Sequence, residues 1–142
     1  MDRVVRVALL GAGTVGAGVL RILRDNAEAV ADRAGTRIEV TRVAVRDASR
    51  PREALPAGAE VVTDPVAAAT APDVDVVVEV MGGLEPAGTA IAAALRAGRP
   101  VVTANKALVA DRGPELSALA RANGTTLHYE AAVAGAIPII RP

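Results

Sequence analysis

The sequence has no cysteine, no phenylalanine, no tryptophan, one tyrosine and one histidine in 142 residues. Without thiols there can be no disulfide, no thiolate–zinc site and no cysteine nucleophile, which suits a reducing compartment. One histidine and no cysteine also argue against a transition-metal site. A chain with Tyr129 as its single aromatic residue has no platform for stacking nucleic-acid bases. Net charge is missing too: sixteen basic residues balance sixteen acidic ones, so nothing electrostatic favours nucleic acid or an anionic membrane as partner. Lysine is nearly absent. One of the sixteen basic residues is Lys106 and the other fifteen are arginine, which makes that lysine worth tracing.

What is present is a small-residue, apolar chain. Apolar residues make up 51% of it, enough to bury an ordinary core in one domain and too many for a disordered segment. Arg3 and Arg6 precede an uncharged run over 7–20 that superficially resembles a secretory leader. Gly11, Gly13, Gly16 and Gly18 interrupt that run, and it is too short to span a bilayer. The expectation is a cytoplasmic protein.

Two kinds of segment alternate. Continuous β-branched runs at Val4–Leu10, 38–45, 61–62, 74–80, Val101–Thr103 and 127–130 predict strands covered on both faces. Between them, 15–31, 66–70, 86–97 and 114–123 predict helices. Pro86 and Pro114 suit first-turn positions, Asp64-Pro65 an N-cap and its successor, and Gly98 and Asn123-Gly124 C-terminal caps. The rhythm predicts an α/β fold: a Rossmann-like, doubly wound, mainly parallel sheet with helices on both faces. The arginine-rich stretch 46–58 reads as an exposed loop or a short helix. Residues 1–130 read as a dinucleotide-binding domain and 131–142 as the start of a connection to a further region.

Gly11-Ala12-Gly13-Thr14-Val15-Gly16 follows a predicted strand and opens a predicted helix. In that context the first glycine permits a tight turn, the second lets a pyrophosphate approach the backbone, and the third lets helix and strand pack closely. The helix N-terminus at Thr14–Gly16 would hold the anion. Beyond the second strand, Arg46 could accept the 2′-phosphate of NADP, whereas Asp47 could bond the ribose of NAD. Arg50 and Arg52 tilt the choice toward NADP, with NAD as the alternative and a solvated basic loop as the bland reading.

Gly82-Gly83 at the end of the fourth strand leaves room for a ring or sugar. Glu79 inside a valine run is expected to anchor a backbone turn, since a buried carboxylate must be hydrogen-bonded. Lys106 follows the fifth strand at the sheet edge where open α/β sheets bind ligands. There an ammonium could orient a carbonyl, protonate a developing alkoxide or bond a carboxylate; the plainer reading is a strand end facing water. The stretch 130–138 reads either as a hinge or as a loop whose carbonyls bind a hard monovalent cation. His128 reads as a core or surface residue.

Four blocks resemble the N-terminal nucleotide-binding part of homoserine dehydrogenase: 10–16 (LGAGTVG), 78–86 (VEVMGGLEP), 101–108 (VVTANKAL) and 130–141 (EAAVAGAIPIIR). The resemblance implies interconversion of aspartate 4-semialdehyde and homoserine with NAD(P)H, in the synthesis of threonine, methionine and isoleucine. It places the dinucleotide on Gly13, Thr14, Val15 and Gly16, beside which the motif reading above adds Gly11, Arg46 and Gly82. It sets Lys106 between nicotinamide and substrate. It also puts a sodium-type ion on backbone oxygens of Glu130, Val133, Gly135 and Ile137. The family's second lysine, its substrate-gripping acidic residues and its dimerisation elements lie further along. The chain is therefore expected to bind cofactor without turning substrate over, to belong to the form lacking a kinase segment, and to act as part of a homo-oligomer. Two rivals are another NAD(P)-dependent semialdehyde or amino-acid oxidoreductase, and a non-catalytic dinucleotide sensor. The first would lack the Asn105-Lys106 and 130–141 blocks, and the second would need no lysine at the sheet edge.

Overall fold

The computed structural model describes residues 3–132. Val4–Leu10 (β1) alternates its side chains so that Val7 and Leu9 enter one apolar cluster while Ala8 and Leu10 enter the other. A strand feeding both clusters must sit mid-sheet with cover on each face. The sheet has six strands, all pairings parallel: β2 (Arg37–Ala44), β3 (Glu60–Val62), β4 (Val76–Glu79), β5 (Val101–Thr103) and β6 (Leu127–His128) join β1 in the order β3-β2-β1-β4-β5-β6. This is the strand order of a doubly wound dinucleotide-binding sheet, with its crevice where the order reverses, between β1 and β4.

Helices cover both faces. Helix α1 (Thr14–Asp25) buries Leu20 against Val7, Leu9, Val40 and Val43. On the other face α3 (Pro65–Thr70), α4 (Ala87–Arg96) and α5 (Lys106–Ala122) contribute Ala68, Ala69, Ile91, Leu95, Leu108 and Leu116. Alanine and valine dominate this core, so the layers approach closely with no aromatic ring between them.

Three predicted elements differ. The helix expected over 15–31 is two helices, α1 and α2 (Ala27–Ala34), divided at Asn26. There the Asn26 amide side chain donates to the Ile22 carbonyl at 3.2 Å and closes α1, since a short polar side chain competes with the helical ladder. Helix α5 starts at Lys106, eight residues before the expected Pro114, which lies inside it. The Asn105 carboxamide oxygen accepts from the Leu108 amide at 3.1 Å, and this cap together with the burial of Leu108, Leu116 and Ala120 carries the helix through the proline. Pro86 is the N-cap of α4 and not its first residue. The stretch 46–58 has no helix, and 130–132 is a 3₁₀ turn beyond the two-residue β6.

The caps at Asp64, Gly98 and Gly124 are as expected. The Asp64 carboxylate accepts from the amides of Val66 and Ala67 at 2.9 and 3.1 Å. Gly98 and Gly124 have φ of +73° and +65° just past α4 and α5, where a glycine closes a helix most easily.

Candidate functional site

At the C-terminal edge of the sheet, β1 runs into the glycine turn. Gly11 has φ of +102°, and a Cβ there would meet the Val80 and Met81 backbone at 3.1 Å. Gly16 is forced by packing, because its Cβ would lie 2.1 Å from the Gly11 carbonyl oxygen. Gly13 is different. It has ordinary φ of −75° at the α1 N-cap, and a Cβ there would meet nothing within 4 Å. Nothing in the described fold requires a glycine at that place; an approaching ligand would. The amides of Thr14, Val15 and Gly16, in the first turn of α1, have no helical carbonyl to bond, and they carry the positive end of the helix dipole.

These groups border a cleft of about 900 Å³, large enough for a dinucleotide portion. Gly11, Gly13 and Thr14, Val80, Met81 and Gly82, and residues 44–46 with 50–54 line it. Gly82 and Gly83 have φ of +76° and +72° with open space above them. Of the residues singled out by sequence, Gly11, Gly13, Thr14, Arg46 and Gly82 line this cleft. Gly16 lies behind the turn, and the Val15 side chain is 56% exposed outside the lining. Lys106 does not line the cleft. It is exposed as the first residue of α5, on the edge that carries the Gly82-Gly83 turn. Glu130 opens the 3₁₀ turn after β6, and Val133, Gly135 and Ile137 lie outside the described residues. His128 is half-buried in β6 beside Val102.

The cleft is lined by several arginines, and these are not equivalent. Arg52 donates to the carbonyls of Asp47 and Arg50 at 2.9 and 2.8 Å, so it staples its own loop. Arg24 is paired with Asp25 at 2.7 Å. Among the described residues, Arg46, Arg50 and Arg21 make no side-chain hydrogen bond or ion pair. Asp47 is already committed: its carboxylate accepts the Ser49 hydroxyl at 2.6 Å and the Ser49 amide at 2.9 Å, and the hydroxyl first, then the amide, holds its pKa below the ordinary value. Asp47 also lies outside the cleft lining.

Glu79 anchors a turn, as its valine context suggested. It is 0% exposed, and Oε1 accepts from the amides of Met81 and Gly82 at 2.7 and 3.2 Å. Sequence reasoning missed what holds its other oxygen: the Thr103 hydroxyl donates to Oε2 at 2.6 Å. It also missed Asn105, 3% exposed, whose Nδ2 donates to the Gly83 carbonyl at 2.6 Å. The available signal was a pair of polar residues, Thr103 and Asn105, closing an apolar strand just before the lysine. Glu85 is a third omission. Its carboxylate accepts the Thr89 hydroxyl at 2.7 Å and amide at 3.1 Å, which hold its pKa below the ordinary value with help from Arg112.

Comparison with known proteins agrees with this geometry. The family profile described as the homoserine dehydrogenase NAD binding domain matches residues 11–130. The chain belongs to that family. A homoserine dehydrogenase of Corynebacterium glutamicum is 48% identical over 139 residues, covering 97% of this chain and 31% of that protein. The crystal structure of a Thiobacillus denitrificans homoserine dehydrogenase superposes with a TM-score of 0.89 at 49% identity, covering 98% of this chain and 32% of the other. A hyperthermophilic archaeal homoserine dehydrogenase, in complex with NADPH, shares the fold with a TM-score of 0.77 at 21% identity, over 97% of this chain and 47% of the other. The chain thus spans about a third of the length of the curated homoserine dehydrogenases it matches. It corresponds to the NAD-binding domain of that family. Among the described residues no helix is long and apolar enough to cross a membrane, and no cluster of three or more His, Asp or Glu could hold a metal ion.

Proposed function

We propose that this domain holds NADPH for a homoserine dehydrogenase that reduces aspartate 4-semialdehyde to homoserine and works reversibly. The observation that carries the reading is Gly13, a glycine in the cleft lining that no contact of the described fold requires. Backbone at Gly11, Gly13, Thr14, Val15 and Gly16 faces the pyrophosphate, with the α1 dipole behind it. Gly82 leaves its backbone open to the nicotinamide half. Arg46, unpaired in the cleft lining, meets the 2′-phosphate, while the Asp47 carboxylate is engaged by Ser49 and outside the lining, away from the ribose role that NAD would need. The NADPH bound in the archaeal relative supports the same choice.

When bound, the nicotinamide supplies a hydride to the aldehyde carbon. The chain's own contribution to that step is Lys106, whose ammonium stabilises the oxygen as charge develops and gives it a proton, leaving a neutral amine and an alcohol. Substrate gripping and turnover belong to the remaining length seen in the relatives, reached through 131–142 from the dinucleotide-binding unit 1–130. A sodium-type cation on Glu130, Val133, Gly135 and Ile137, a homo-oligomeric whole protein and a cytoplasmic location complete the proposal.

A fluorescence titration with NADPH and NADH tests it. NADPH is expected to bind more tightly, and Arg46→Ala to weaken NADPH by about tenfold or more while leaving NADH unchanged, since a charge-assisted bond is worth about 1.5–3 kcal/mol. Equal affinities in the wild type would remove Arg46 from the 2′-phosphate. Failure of both cofactors to bind would overturn the dinucleotide reading.

A further inference from the structure

The Lys106 side chain makes no hydrogen bond or ion pair with any described residue, so its place is set by the backbone that carries it. That backbone is fixed by Asn105. The Asn105 amide donates to the Thr103 hydroxyl oxygen at 3.0 Å, its Oδ1 caps the Leu108 amide at 3.1 Å, and its Nδ2 crosses to the Gly83 carbonyl at 2.6 Å. Thr103 in turn donates to Glu79, and Glu79 holds the Met81 and Gly82 amides. The Ala104 amide adds a bond to the Glu79 carbonyl at 3.1 Å. The result is a closed loop of hydrogen bonds, from the cleft-lining turn at Gly82 through Glu79, Thr103 and Asn105 back to Gly83. Its three side chains are 0%, 1% and 3% exposed, so water does not compete for their bonds.

The residue type at 105 is informative. A helix cap needs only an acceptor, which serine or aspartate would supply. The second bond, to the Gly83 carbonyl, comes from a separate atom of the same side chain; asparagine carries acceptor and donor on two atoms, whereas a serine hydroxyl has one shorter-reaching oxygen for both. We propose that Asn105 is a positioning residue that joins the Gly82-Gly83 turn to the first turn of α5, so that dinucleotide in the cleft and the Lys106 ammonium are placed together. The proposal rests on the dinucleotide reading above.

Lys106 is the single lysine, so reductive methylation with ¹³C-formaldehyde labels one ε-amine, which resonates apart from the α-amine. In the wild type, saturating NADPH is expected to move that signal. Asn105→Ser keeps the cap and cuts the bridge. It is expected to retain cooperative melting and NADPH affinity, measured by fluorescence, to within about threefold, yet to lose most of the Lys106 response. Thr103→Val, which unties Asn105 from Glu79, should act in the same direction. A full Lys106 response in Asn105→Ser overturns the proposal. So does a response lost only in step with cofactor affinity, which would make Asn105 a plain structural support. NADPH binding to the wild type without a Lys106 response overturns the coupling and leaves the cofactor reading standing. No NADPH binding to the wild type overturns both.

Discussion

At the level of single residues, three glycines of one motif are constrained by different things. Gly11 is required by its φ of +102° and by the backbone of Val80 and Met81 pressed against it. Gly16 is required by the Gly11 carbonyl, and Gly16→Ala is expected to cost about 3 kcal/mol, because the two backbones must part to admit a methyl group. Gly13 faces open space, so Gly13→Ala should change stability by no more than about 1 kcal/mol, as expected for an exposed N-cap. If the pyrophosphate approaches the backbone there, as proposed, the same substitution should lower NADPH affinity by an order of magnitude or more. Urea unfolding and cofactor titration of the two variants would separate a glycine kept for the fold from one kept for the ligand. Arginines divide in the same way. Arg52 is spent on its loop carbonyls, and Arg46 lines the cleft with no partner among the described residues.

At the level of elements, α5 shows how a cap and a buried face outweigh a poor helix former. Pro114 is exposed within α5 and gives up one amide bond to a carbonyl four residues back, a penalty of about 3 kcal/mol in a helix interior. Part of that is offset because proline also restricts the unfolded chain, by about 0.4–1 kcal/mol. Pro114→Ala is therefore expected to stabilise the domain by about 2 kcal/mol, seen as a higher urea midpoint at unchanged m-value. The position of the helix start also fixes where Lys106 lies. Beginning at Lys106, α5 carries the lysine on its first turn, where the Asn105 cap and its bridge to Gly83 fix its backbone. A helix beginning at Pro114 would have left it in a loop.

For the molecule as a whole, the acidic groups decide the response to pH. The carboxyls of Asp25, Asp47, Asp73, Glu85 and Glu115 all titrate below their ordinary values in the fold, each held first by a hydrogen bond from a neighbouring side chain. For Asp73 that donor is Arg42, at 2.9 Å across the sheet edge, where Arg42 also meets Glu60. A carboxyl whose pKa is lower folded than unfolded contributes stability above its unfolded value of about 4 and loses it as pH falls through the folded value. The melting temperature is therefore expected to change little from about pH 7 to pH 5 and to fall steadily below about pH 4. These groups are largely exposed, so each contributes little, and Asp73→Asn should make the acid slope shallower without abolishing it. A melting temperature that rose on acidification would contradict this assignment.

Much of the fold and part of the site could be read from residue order alone. Unbroken valine runs imply strands covered on both faces, alternation with alanine-rich helices implies a parallel sheet, and a glycine motif between strand and helix marks the crevice. Asp64-Pro65, Gly98 and Gly124 end or begin helices by local chemistry, and so were legible. The Asn26 break and the α5 start were not, because propensity and a proline signal competed there with a side-chain bond and with buried contacts. The remainder depends on residues far apart in the chain. Thr103 reaches Glu79 across 24 positions and Asn105 reaches Gly83 across 22, pairings that exist only once β4 and β5 lie side by side. Which arginine is free for a ligand is settled the same way, by which carbonyls and carboxylates the folded loop brings within reach. Sequence by itself determined the order of elements, the glycine turn and the singular lysine, since these depend on spacing along the chain. Only the tertiary structure decided what joins that turn to that lysine, since a hydrogen bond depends on distance in space.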